Sequence, residues 1–129
     1  MASGLLLDAH ALSAIADGDP KALKRFQMSP VIAIPVIVFG EYLFGISQSR
    51  FRSEYEQWLN ALPSDLRVLD VTRETAAHYA KIRVQLKKAG TPIPSNHLWI
   101  AALCRQHSLD VLSRDKHYDA VQGIERIDG

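Results

Sequence analysis

Apolar residues fall along this chain in short unbroken runs, each stopped by a polar or turn-forming residue and separated by stretches of helical spacing. Leu5-Leu6-Leu7 ends abruptly at Asp8, and residues 9–16 then read as a helix broken by Gly18-Asp19-Pro20. A second short helix is expected over 21–28. Val31-Ile32-Ala33-Ile34 has the continuous β-branched character of a strand buried on both faces. Pro35 suits the first turn of the helix that follows, 36–47. Phe51, Tyr55, Trp58, Leu59 and Leu62 recur at helical spacing until Pro63-Ser64 ends the segment.

Residues 67–71 form the next short strand, followed by a helix over 73–89 whose stop is marked by Lys87, Lys88 and Gly90. Ser95 or Asn96 is expected to cap a helix running to His107. A strand over 110–113, a short helix or turn over 116–121 and a last strand over 124–127 complete the pattern. Strand and helix alternate throughout, so the expectation is one α/β domain over residues 1–129, a five-stranded parallel sheet flanked by helices on both faces. Ligands of such sheets gather beyond the carboxyl ends of the strands. Asp8 and Asp115 are both expected there.

A chain of 129 residues with 47% hydrophobic composition is large enough for one core burying roughly two-thirds of its unfolded surface. The single cysteine, Cys104, lies in an apolar helical pattern and reads as a small core residue rather than a nucleophile. The longest apolar stretch, 31–39, is interrupted by Pro35 and is shorter than the ~20 residues of a spanning helix. No basic region followed by an apolar segment opens the chain, so a cytoplasmic protein without a membrane partner is expected. A net charge of +1 steers no polyanion by itself; the clusters Lys21/Lys24/Arg25, Arg50/Arg52 and Lys81/Arg83/Lys87/Lys88 read first as solvated helix faces.

The acids at element edges carry the candidate chemistry. Asp8 and Asp115 each have an ordinary reading as the cap of the following helix or turn, but that reading does not explain why two of them face the same sheet edge. Glu41 sits among apolar neighbours in Val38-Phe39-Gly40-Glu41-Tyr42-Leu43-Phe44, where a buried carboxylate needs a cation, a wet cleft or an arginine partner. Asp119 would share a helical face with Asp115 and is read as an outer or water-mediated contributor. Acids converging on one point repel one another unless a cation compensates. Mg²⁺ or Mn²⁺, which favour oxygen ligands, keep waters and bind phosphates, would suit such a cluster and point to phosphodiester chemistry.

The run Gly90-Thr91-Pro92-Ile93-Pro94, then Asn96, Ile100-Ala101-Ala102 and Ser113-Arg114-Asp115-Lys116-His117-Tyr118 resembles PIN-domain ribonucleases of the VapC toxin type, from bacterial toxin-antitoxin pairs. The resemblance spans essentially the whole chain. It implies four acidic positions, which fall on Asp8, Glu41, His97 and Asp115, with Ser113 as the hydroxyl that orders the last acid. It further implies Mg²⁺- or Mn²⁺-dependent endonucleolytic cleavage of RNA, commonly in loops of tRNA or rRNA, leaving a 5′-phosphate and a 3′-hydroxyl. The implied partners are an RNA substrate, a cognate antitoxin and a second copy of the chain in a homodimer.

Two positions depart from the family pattern. Ala9 stands where the family has Thr or Ser, and His97 stands where it has an acid. An imidazole in place of a carboxylate removes one negative charge and moves metal preference from Mg²⁺ toward Mn²⁺, Co²⁺ or Zn²⁺. Without a metal it is expected to partner the carboxylates internally; the plain alternative is a surface histidine at a helix start. A catalytically weakened PIN domain that binds RNA or antitoxin without cutting is therefore the main competing function. A phosphoacceptor receiver domain fits poorly, because Asp8 stands alone after the first strand and the second apolar run ends in Pro35. Tyr42, Phe44, Phe51 and Trp58 read mostly as core, with some available to line a groove for an amphipathic antitoxin segment.

Overall fold

A computed structural model describes residues 4–129. The strands are β1 (Leu5–Leu7), β2 (Ile32–Pro35), β3 (Arg67–Leu69), β4 (Asp110–Leu112) and β5 (Arg126–Ile127). The helices are α1 (Ala9–Ala16), α2 (Pro20–Met28), α3 (Val36–Ile46), α4 (Arg52–Asn60), α5 (Arg73–Ala89) and α6 (Ser95–His107). A 3-10 turn at Lys116–Ala120 lies between β4 and β5.

All strand pairs are parallel, in the order β3-β2-β1-β4-β5, which matches the expected architecture. The chain leaves β1 toward β2 and β3, then returns across the sheet to place β4 on the other side of β1. That reversal opens a crevice at the carboxyl ends of β1 and β4, where helices depart in opposite senses. The register pairs Leu7 with Leu112, so Asp8 and Ser113 leave the sheet side by side.

β1 and β2 are buried on both faces because helices cover both: α1 packs with α2, α3 and α4, and α5 packs with α6. α6 lies deepest, with Ile100, Ala101, Ala102, Leu103 and Cys104 all buried. The paired alanines let its backbone approach the sheet while Ile100 and Leu103 fill the space beside them. Cys104 is fully buried, which pushes its thiol up and leaves it a core residue.

Several local expectations are revised. Neither Ser95 nor Asn96 caps α6: the helix begins one residue earlier, Pro94 occupies the cap position in extended backbone, and no side chain caps the first turn. Phe44 and Phe51 are exposed, not core, whereas Tyr42 is buried and Trp58 packs on the core's edge. Burial on α3 follows Val38, Tyr42 and Ile46, with Ile37 and Phe39 partly buried against the core, while Val36, Leu43 and Phe44 face outward. Among the described residues no helix is long and apolar enough to cross a membrane.

Candidate metal centre

Asp8 follows β1 directly and is 2% exposed. One carboxylate oxygen accepts the Ala11 amide at 2.8 Å, capping α1. The other is buried and has no hydrogen-bond partner among the described residues. Burial pushes the Asp8 pKa up, opposed by the Ser113 hydroxyl, the Ala11 amide and the charges of His10 and His97. The capping role and a ligand role therefore occupy different oxygens, and one does not replace the other.

Ser113 and Asp115 follow β4. The Asp115 amide donates to Ser113 Oγ at 2.9 Å, and Asp115 Oδ1 accepts the His117 amide at 2.9 Å, capping the 3-10 turn. Burial raises the Asp115 pKa, but the His117 amide and the charges of His97 and His117 outweigh it, so the carboxyl titrates below its ordinary range. The two site aspartates are thus pushed in opposite directions.

His97 sits in the first turn of α6 with its side chain 13% exposed, so it is not a surface histidine. Its Nε2 lies 3.1 Å from Asp115 Oδ2, its ring meets Tyr118 edge-on at 5.1 Å, and its Nδ1 is buried without a partner among the described residues. His117 Nδ1 lies 2.9 Å from Asp115 Oδ1.

Glu41 is exposed, so the cost of burying a carboxylate does not apply to it. It nevertheless faces the same region: burial first, then the charges of Asp8, Cys104, Asp115 and Glu41, push the buried Tyr118 hydroxyl up. Among the described residues, the ligating atoms within 4.8 Å of one another are those of His97, Asp115 and His117; Asp8 and Glu41 stand outside that group. An open cleft of about 360 Å³, lined by His10, Ala11, Ala14, Ser113 and Asp115 among others, lies alongside.

Asp119 does not join Asp115. The segment is a 3-10 turn, in which residues four apart no longer align. Arg126 takes both Asp119 oxygens, at 2.8 and 3.2 Å, and donates to the Ser113 carbonyl at 3.1 Å. Asp119 thus anchors an arginine that steadies the loop carrying Ser113. His117 and Arg126 were not singled out from sequence; an Asp-x-His triplet in an acidic setting was the available signal for the first.

The donors suit a hard divalent cation in one specific respect. An unpartnered buried carboxylate oxygen is costly, and a cation is the partner that would relieve it. Asp8 and Asp115, with Glu41 at the open side, are the oxygens available.

The chain is 27% identical over 99 residues to Ribonuclease VapC5 of Mycobacterium tuberculosis, covering 75% of this chain and 73% of that one. It is 27% identical over 93 residues to Ribonuclease VapC2 of Rickettsia felis, covering 72% and 69%. The fold superposes on DNA-bound VapBC from Salmonella typhimurium with a TM-score of 0.83 at 23% identity, over 97% of each chain. A sequence model of the PIN domain matches residues 5–124, nearly the whole described fold, and this chain belongs to the PIN domain family.

Proposed function

We propose that this chain is a metal-dependent endoribonuclease, the toxin of a toxin-antitoxin pair, that cuts structured RNA such as loops of tRNA or rRNA. The observation that carries this reading is the buried, unpartnered oxygen of Asp8 beside Ser113, at the crevice between β1 and β4. The similarity to VapC ribonucleases supports the reaction class.

Asp8, Asp115 and Glu41 would hold Mg²⁺ or Mn²⁺, which when bound positions a phosphodiester and lowers the pKa of an attacking water. The chain's own residues prepare this. Ser113 fixes the Asp115 backbone, and the Asp119–Arg126 pair fixes the Ser113 carbonyl. The α1 amide holds one Asp8 oxygen and leaves the other aimed away from the helix. His97 acts on Asp115, either as a fourth ligand or as a brake that occupies its oxygen.

The second role favours the alternative of a weakened nuclease that holds RNA or antitoxin without cutting, and its support is the 3.1 Å His97–Asp115 contact. Partners on the main reading are RNA, an antitoxin and a second copy. Similar solved structures include VapBC complexes, and Leu43, Phe44 and Phe51 offer exposed apolar contact area. The test is cleavage of total tRNA and rRNA by purified protein with Mg²⁺, with Mn²⁺ and with chelator, beside Asp8→Asn and His97→Asp. Metal-dependent cutting lost in Asp8→Asn and increased with Mg²⁺ in His97→Asp is expected. Cutting that persists in chelator or in Asp8→Asn overturns the reading; an inactive wild type rescued by His97→Asp selects the alternative.

A further inference from the structure

Two imidazoles converge on the two oxygens of one carboxylate at this site: His97 Nε2 on Asp115 Oδ2 at 3.1 Å and His117 Nδ1 on Asp115 Oδ1 at 2.9 Å. The His97 and His117 rings lie 5.2 Å apart, tilted by 45°. Their ligating atoms and that of Asp115 fall within one 4.8 Å group. From these residues we propose that His97, Asp115 and His117 form a binding site for a borderline transition ion of the Zn²⁺ class, sharing Asp115 with the carboxylate site.

The distances fit without rebuilding the backbone. Zn²⁺ holds nitrogen and oxygen at about 2.0–2.2 Å, which sets neighbouring donors about 3.3 Å apart in a tetrahedron. The two nitrogen–oxygen contacts, at 2.9 and 3.1 Å, lie just under that spacing, and all three donors lie within 4.8 Å of one another, within reach of side-chain rotation. Two nitrogens and one carboxylate select Zn²⁺ or Co²⁺ over Mg²⁺, which prefers oxygen and an octahedral shell.

The donors are also held in place. His97 is fixed by α6 and by the Tyr118 ring, and Asp115 by the Ser113 hydroxyl and the His117 amide. Half of the His117 side chain is open to solvent, which leaves an entry path for the ion. Because Asp115 is common to both sites, Zn²⁺ and Mg²⁺ compete for it. Zinc occupancy would therefore act on the nuclease site proposed above, though the binding itself needs neither RNA nor cleavage.

The test uses metal-free full-length protein without a histidine tag. Zn²⁺ and Mg²⁺ are titrated by calorimetry, and Co²⁺ serves as the spectroscopic probe, its visible bands reporting low-coordinate nitrogen ligation. Expected is Zn²⁺ binding weakened about tenfold or more by His117→Gln and by His97→Gln. On Zn²⁺ addition to wild type, the ring-nitrogen resonances of both histidines should shift in NMR spectra, a readout independent of how the variants fold. Zn²⁺ affinity insensitive to His117→Gln, or ring nitrogens unmoved by Zn²⁺, would overturn the site and leave the imidazoles as hydrogen-bonded clasps on Asp115. Neither result bears on Mg²⁺-dependent cleavage, so failure here is distinguishable from failure of the nuclease reading.

Discussion

Replacing Asp8 by asparagine should make the metal-free protein more stable while removing its proposed metal ligand. The carboxylate is 2% exposed; one oxygen caps α1 and the other lacks a partner among the described residues. Asparagine keeps a carbonyl for the Ala11 amide and removes the charge. An unsatisfied buried polar group is costly, and more so when it is charged; asparagine leaves a neutral amide where the charged oxygen was, so the variant should gain the excess cost of the charge, about 1–3 kcal/mol. For 129 residues the unfolding entropy is about 0.27 kcal/mol/K, so each kcal/mol moves the midpoint by about 4 °C. The expected rise is about 4–11 °C in chelator near pH 7.5. Asp8→Ala loses the cap as well, about 1 kcal/mol, and should gain correspondingly less.

The pH dependence has a definite sign. Burial raises the pKa of Asp8 in the folded state, so the folded protein binds this proton more readily than the unfolded chain does. The stability contributed by the protonated group is full below the unfolded value of about 3.9 and is lost as pH rises through the folded value. The gap between asparagine variant and wild type should therefore close on acidification. Saturating Mg²⁺ should close it from the other side by stabilising wild type alone, by about 2.7 kcal/mol at a hundredfold excess over Kd. Thermal unfolding followed by circular dichroism reads all three conditions. A variant less stable than wild type in chelator at neutral pH would refute the claim that the buried Asp8 charge outweighs the groups that offset it.

Three further outcomes are expected. Ser113→Ala removes the acceptor of the Asp115 amide; it should cost about 1 kcal/mol in urea unfolding and reduce RNA cleavage more than that loss of folded protein explains. Arg126→Met frees the half-exposed Asp119 to water and leaves the Ser113 carbonyl without its donor, which should cost about 1 kcal/mol by denaturant titration. Two of the open glycines should respond oppositely: Gly90, left-handed at φ +72, should lose about 1 kcal/mol on change to alanine. Gly40, inside α3 with nothing within 4 Å of an added Cβ, should gain about 0.5–1 kcal/mol. Paired thermal melts check both.

The parallel sheet was legible because its strands are short apolar runs with sharp polar ends, and those ends are where Asp8 and Asp115 stand. What remained hidden depends on contacts between distant segments. Apolarity along α3 suggests a buried Glu41, yet the burial stripe is one residue wide per turn and leaves Leu43 and Phe44 facing outward beside it. Apolar residues kept for a partner look the same in sequence as those kept for the core. Asp119 was placed by α-helical spacing in a segment that winds as a 3-10 turn, so its true partner, Arg126 on β5, was invisible. His117 escaped notice because its role arises from a backbone reversal of two residues at Asp115, which no periodicity encodes.

The reversal of strand order at β1 has a consequence for synthesis and folding. Asp8 directly follows β1, made at the start of the described chain, and the loop that faces it follows β4, one of the last elements of the domain. Pairing of β1 with β4 is a long-range contact, slow to form because the intervening chain must first be organised. A chain truncated before β4 would contain Asp8, Glu41, His97 and all six helices, and still lack the crevice between β1 and β4. The two sides of the candidate site are therefore brought together late: the crevice forms only once β4 has been made and paired with β1.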